Sequence, residues 1–339
     1  MTTPFVEVKN LRRVFDVSKP WLNRVLEGGH LEFLKAVDGV TFDIAKGETF
    51  ALVGESGSGK SLTCRSVIRM LPPEGAMSAN QIVFDGHDVL AMDRAALRAH
   101  RARSVGMIFQ DPFSCLDPTK RVGEQIAETL RVNAGLDRGA AKSQALTLLE
   151  DVGIASPDRR YLSYPHELSG GMRQRVMIAI AVATKPKLLI ADEATTALDV
   201  TTQAQILSLI QRLRREIGMS VLLVSHDFGV IAQVCDRVAV MYGGYVVEFG
   251  PVEDICTRPQ HPYTRALLDS IPSLESAGQR VRRAGIPGQP PSLGEVTTGC
   301  PFVDRCTYAS DPCRTMEMVM LEVGRGHTSA CPVTVGNRS

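Results

Sequence analysis

The run Thr49-Phe-Ala-Leu-Val53 is nearly all apolar, the pattern of a strand covered on both faces in a parallel sheet. Gly54-Glu55-Ser56-Gly57-Ser58-Gly59-Lys60-Ser61-Leu62 follows it directly and opens a helical pattern. Strand, glycine-rich loop and helix in that order restrict the chain to an α/β fold with a phosphate-binding loop. Small residues let backbone N–H groups curl around phosphate oxygens, and the helix N-terminus adds partial positive charge. Lys60 is then placed to reach the β- and γ-phosphates of a nucleotide, and the Ser61 hydroxyl to ligate Mg²⁺.

Around this loop the chain alternates between sheet and helix signals. An alternating segment (Val6, Val8, Leu11, Val14) predicts a first strand, Pro20 to Gly29 an inserted loop, and Lys35–Ile44 a second strand. Helical periodicity dominates 94–184, with helices expected at Arg94–Arg103, Val122–Asn133, Ala140–Val152 and Gly170–Thr184. We read this stretch as a helical subdomain inserted into the α/β core. Sheet patterns return at Leu188–Ala191 and Val221–Ser225, separated by a helix at Thr202–Ile217, as a parallel crossover requires. A hairpin at Val238–Val247 turns on Gly243-Gly244. Beyond Cys256 prolines become frequent and periodicity weakens, so the division expected is a main domain over 1–256 and an appended module over 257–339.

Charge and composition exclude several classes. The net charge of +1, from 38 basic and 37 acidic residues, draws the chain to neither nucleic acid nor anionic lipid. Basic runs at 98–103 and 280–283 read as solvated faces. The N-terminus lacks a secretory pattern, and no apolar run reaches the roughly 20 residues that span a bilayer, so a cytoplasmic location is expected. Eight cysteines in that compartment do not make a disulfide framework. Cys64, Cys115, Cys235 and Cys256 are scattered and read as core or surface residues.

A magnesium–nucleotide site needs a carboxylate at a buried strand end, and Leu188-Leu-Ile-Ala-Asp192 supplies one. Glu193 follows at the strand's exit, placed to act as general base on an attacking water. His226 leaves the strand ending at Ser225 toward the same edge, a γ-phosphate contact. Leu168-Ser169-Gly170-Gly171-Met172 precedes a strong helix and forms a second anion-binding turn. Two half-sites on one chain are reconciled by a head-to-tail dimer in which each nucleotide lies between one subunit's phosphate loop and the other's Ser-Gly-Gly turn.

With Gln110, Ala197-Leu-Asp199 and His226 in order, the chain over about residues 5–260 closely resembles the ATP-binding subunit of an ATP-binding-cassette (ABC) transporter. The resemblance implies a P-loop NTPase cassette: a RecA-like core, antiparallel β-strands and an inserted helical subdomain, followed here by a small Cys-rich module. It further implies ATP and Mg²⁺ as cofactors, the metal being held by Ser61, Gln110 and Asp192. Gln110 falls on the loop that senses the membrane partner, Asp199 on the loop that communicates across the dimer, and Phe15 on the aromatic that stacks on adenine. Glu193 and His226 become catalytic base and γ-phosphate contact. Where the family commonly has proline after the glutamate this chain has Ala194, which points to a tuned rather than an abolished hydrolysis rate.

Gln110-Asp-Pro-Phe-Ser-Cys-Leu-Asp-Pro118, Tyr164-Pro-His-Glu-Leu168, His261-Pro-Tyr-Thr-Arg-Ala-Leu-Leu268 and Gly299-Cys-Pro-Phe-Val-Asp-Arg-Cys306 resemble the dipeptide/oligopeptide import branch, with Asp117 where asparagine is common. That branch implies a second ATPase subunit, like or unlike, two permeases, an external solute-binding protein and a place on the cytoplasmic face of the inner membrane. It also handles nickel, glutathione and glycosides. A soluble ABC ATPase acting on nucleic acid is the competing class, disfavoured by the neutral charge.

Cys300, Cys306, Cys313 and Cys331 cluster in the tail. Four thiolates suggest a closed metal centre, and without tight C-x₂-C pairs the spacing leaves iron–sulfur, zinc and unliganded thiols all open. The resemblance to the import branch favours [4Fe–4S], with Zn²⁺ as the alternative and stapling of the module as its expected job.

Overall fold

The computed structural model describes residues 4–18, 31–71, 75–195, 198–270, 285–291 and 298–333. The predicted loop at 20–29, Ala197 and the basic run at 280–283 lie outside the described residues. The chain forms two compact units, one from Met1–Ile44, Phe50–Leu90 and Ser225–Ser339, the other from Ala45–Thr49 and Ala91–Val224.

In chain order the strands are β1 (Val6–Asp16), β2 (Phe33–Ile44), β3 (Thr49–Val53), β4 (Ala76–Ser78), β5 (Gln81–Phe84), β6 (His87–Asp88), β7 (Val105–Ile108), β8 (Leu188–Asp192), β9 (Ser220–Ser225), β10 (Arg237–Tyr242), β11 (Tyr245–Pro251), β12 (Leu321–Gly324) and β13 (His327–Ser329). The first unit contains an antiparallel sheet in the order β2-β1-β5-β6, with β4 beside β1, and a second run of neighbours β12-β13-β11-β10-β3. Val6 and Val8 alternate inward along β1, and Leu11 joins them in the core after an irregularity, with Asn10 at φ 51°, that shifts the register against β2. β3 runs parallel to β10, and all five of its residues are buried. Gly243 and Gly244, both at positive φ, make the β10–β11 turn that the sequence predicts.

The proline-rich C-terminal segment joins this unit's core. β13 pairs with β11, and Tyr263 and Phe302 pack with Val53, Val240 and Tyr242. A helix, Pro262–Asp269, which weak periodicity hid, starts with proline at its first position and His261 as N-cap. Pro262 lacks an N–H at a position where none is used, so a residue type read as a breaker starts the element instead.

The second unit holds a parallel sheet in the order β9-β8-β7. Its longer helices run over Arg94–Ser104, Val122–Ala134, Arg138–Asp151, Gly170–Val182 and Val200–Ile217, every bound within two residues of the predicted one. On Val200–Ile217, Ile206, Leu209, Ile210 and Leu213 form one buried stripe. The helix ends at Gly218 in the left-handed conformation. No helix among the described residues is long and apolar enough to cross a membrane.

Candidate functional site

The phosphate loop leaves β3 through a bend that only glycine can make. Gly54 has φ 155°, and a Cβ there would stand 2.1 Å from the Met241 carbonyl oxygen. After the loop, Gly59 caps the helix Lys60–Val67, whose first N–H groups face the loop's concavity. Lys60 is buried, and its ammonium donates to the carbonyls of Gly54 (2.9 Å) and Glu55 (2.8 Å) and, more weakly, to Ser58 Oγ (3.4 Å). Ser56 and Gly57 are exposed at the loop's crest, Ser58 is buried, and Ser61 and Leu62 are half-buried on the first turn. Donors, a helix terminus and a cation are thus concentrated in nine residues, 54–62, a built anion cradle.

Two supports for this loop escaped the sequence reading. Tyr263 Oη accepts the Glu55 N–H at 2.8 Å, and the Arg305 guanidinium takes both Glu55 carboxylate oxygens at 2.6 and 3.1 Å. Both residues fall inside phrases already singled out in the tail, but they lie 208 and 250 residues from Glu55, beyond the reach of any spacing argument. Burial pushes the Tyr263 phenol well above its usual range, so it stays protonated.

His226 stands exposed immediately after β9, before the helix Phe228–Val234 that Asp227 caps by accepting from Gly229 N at 2.8 Å. Phe15 sits near the end of β1, half-buried, with the Arg13 guanidinium 4.9 Å from its ring centroid.

In the second unit β8 is buried throughout and delivers Asp192 at 1% exposure. The next residue, Glu193, adopts φ 51°, the left-handed region that a non-glycine residue occupies at a cost. It is held there by its N–H donating to Val224 O at 3.2 Å and by Gln110 Nε2 donating to its carboxylate at 2.8 Å. The buried Gln174 amide donates to the Ala194 carbonyl at 2.6 Å, which fixes the turn that proline commonly stiffens in the family. Gln110 and Glu193, 83 residues apart in sequence, thus meet through a direct hydrogen bond.

Ser169 caps the helix Gly170–Val182, its hydroxyl accepting from Met172 N at 3.3 Å, while Leu168 is buried and Gly170 and Gly171 open the first turn. Asp199 caps Val200–Ile217 through Thr202 N (2.9 Å) and Thr202 Oγ1 (2.8 Å), and these bonds hold its carboxyl below the usual range.

Cys300, Cys306, Cys313 and Cys331 all line one small cavity beside His261 and Phe302. Burial, reinforced by the other three thiols, pushes Cys300 up to about 12, and burial also raises Cys306. His261, neutral because burial lowers it to about 4, has Nε2 at 4.0 Å from Cys300 Sγ. Among the described residues, however, no group of three or more His, Cys, Asp or Glu side chains is arranged to hold a metal ion. The expected iron–sulfur or zinc centre is therefore not found as a coordination site among the described residues, although the fold collects the four thiols around one cavity.

Comparison with known proteins decides what this cradle belongs to. A family model described as ABC transporter matches residues 37–196, and one described as oligopeptide/dipeptide transporter, C-terminal region, matches 247–313. A probable peptide ABC transporter ATP-binding protein of Sinorhizobium fredii is 46% identical over 89% of this chain and 90% of its own length. The chain belongs to the ABC transporter family. Within it, this ABC protein is an ATP-binding subunit of the peptide-transport branch. An oligopeptide transport ATP-binding protein of Bacillus subtilis is 48% identical over 87% of the chain and 82% of its own length. Among solved structures, a dimeric ATP-binding cassette in a post-hydrolysis state with ADP and Pi superimposes with TM-score 0.61 at 27% identity, covering 73% of this chain and 98% of that one. A Clostridium perfringens protein that is part of an ABC transporter complex gives 0.60 at 26% identity, covering 76% and 92%.

Proposed function

We propose that this ABC subunit binds MgATP, closes on a second ATPase subunit, and hydrolyses the nucleotide to drive import of di- and oligopeptides. The observation that carries the reading is Glu193, held in a left-handed turn with its carboxylate on Gln110, in a chain that also builds a phosphate cradle around Lys60. Ser61, Gln110 and Asp192 offer the hard oxygen donors that suit Mg²⁺, whose chemistry when bound is neutralisation of the β- and γ-phosphate oxygens. Lys60 and the N–H groups of 54–62 grip the phosphates, Phe15 stacks on adenine, and His226 contacts the γ-phosphate. Glu193 takes a proton from the attacking water. The water oxygen bonds to the γ-phosphorus as the bond to the bridging oxygen breaks, leaving ADP, phosphate and a released proton. Leu168–Met172 of one subunit covers the nucleotide of the other, and Asp199 reports across that dimer.

The partners in this reading are a like or unlike ATPase subunit, two permeases engaged beside Gln110, and an extracytoplasmic solute-binding protein, with the subunit peripheral on the cytoplasmic face of the inner membrane. Residues 1–256 serve as the cassette, with helices of 94–184 facing the permeases, and 257–339 as the branch-specific extension. The donor set at the cavity, four sulfurs, fits a [4Fe–4S] centre held by Cys300, Cys306, Cys313 and Cys331 better than the mixed N/O ligands of most other metals, with Zn²⁺ the alternative. When bound it would supply cross-links between turns of the extension.

The test is purification of the subunit from membranes with its permeases, followed by ATPase assays with the loaded binding protein. Stimulation by a panel of di- and oligopeptides is expected. Stimulation only by nickel, glutathione or a glycoside would replace the solute, and stimulation by DNA or RNA away from membranes would remove the import reading.

A further inference from the structure

A glutamate is an awkward second residue for a loop that must receive a polyphosphate. At Glu55 the cradle carries a carboxylate whose charge opposes ATP unless something compensates it. The compensation comes from the far end of the chain. Arg305 is 6% exposed in its side chain, and its five N–H donors are all used: Nη1 to Glu55 Oε2 and Tyr242 Oη, Nη2 to Glu55 Oε1 and the Ile286 carbonyl, Nε to the Pro287 carbonyl. A fully saturated guanidinium has one geometry, so the paired carboxylate has one too.

The backbone under Arg305 is equally fixed. It ends a short 3₁₀ turn, Val303–Arg305, set between Cys300 and Cys306. Cys300 N donates to Cys313 O at 2.8 Å and Val303 N to Cys300 O at 3.1 Å. Phe302, 2% exposed, packs edge-on against Tyr242 at 5.2 Å and beside Tyr263 at 5.3 Å. Tyr263 in turn accepts the Glu55 N–H, so backbone and carboxylate of the same loop residue are both gripped by the C-terminal segment.

We propose that Arg305 is a positioning residue for ATP: by neutralising and orienting Glu55 it lets the phosphate loop accept the nucleotide, and it makes the C-terminal segment part of the nucleotide site. The proposal rests on the reading of 54–62 as the ATP cradle and is independent of what the cysteines hold. Removing Arg305 leaves a negative charge beside the phosphates, whereas removing Glu55's charge removes the need for Arg305.

Four versions of the intact transporter complex distinguish these effects, with MgATP Kd from a fluorescent nucleotide and KM and kcat from hydrolysis. Arg305→Ala is expected to raise Kd and KM about tenfold, an ordinary coupling for a close charge pair, with kcat within about twofold. Glu55→Gln serves as its own reference, and adding Arg305→Ala to it should change Kd and KM by less than about threefold, so that the double variant binds MgATP more tightly than Arg305→Ala alone. If Arg305→Ala fails to fold, Arg305→Gln takes its place with the same expectation. Unchanged Kd in the arginine variant, or a double variant as weak as the single, overturns the proposal. Lys60→Ala serves as the separate control: if it still binds MgATP, the cradle reading itself fails.

Discussion

Glu193 is a strained residue held by two others, and its chemistry and backbone separate cleanly in test. Glu193→Gln keeps the size and the hydrogen bond to Gln110 while removing the base, so hydrolysis should fall at least about a hundredfold with MgATP binding retained, measured by single-turnover assay beside nucleotide Kd. Gly54 is constrained by space rather than charge. Gly54→Ala drives a methyl group into the Met241 carbonyl at 2.1 Å, and the expected outcome is loss of nucleotide binding with a lowered melting temperature. These positions were legible because each residue carries its own local signal: a glycine in a phosphate-loop pattern, an acid at the end of an apolar strand. Arg305 carried none, since its meaning lies in a partner 250 positions away.

Among elements, legibility followed length and pattern. β3, with five buried residues of which four are apolar, and the helix Gly170–Val182 were readable in place, since burial on all sides or a clear N-cap before a long apolar run leaves few alternatives. β4 and β6, of three and two residues, were not, because so short a strand is defined by its neighbour rather than by its own pattern. The turn Val303–Arg305 belongs to the same group: it is held by Phe302 and by bonds between cysteine backbones. Phe302→Ala should therefore cost about 3–5 kcal/mol of stability, read by denaturant unfolding, and should also raise the KM for MgATP because Tyr263 and Arg305 lose their backing.

At the scale of the molecule, the C-terminal segment was legible as an appendage, by its prolines and clustered cysteines, but not as part of a strand-paired core. The pairing of β13 with β11 and the burial of Tyr263 and Phe302 come from contacts that no local period encodes. Anaerobic purification and metal analysis test what the cysteine cavity holds: about four iron and four sulfide per chain are expected, lost on substituting Cys313, while one zinc and no sulfide would select the alternative. The function itself turns on coupling. The most direct measurement is uptake of a labelled oligopeptide into proteoliposomes that carry the full complex with binding protein and enclosed MgATP. The account predicts accumulation that requires ATP and disappears with Glu193→Gln; peptide accumulating equally in that variant, or no peptide uptake while ATP is consumed, would contradict it.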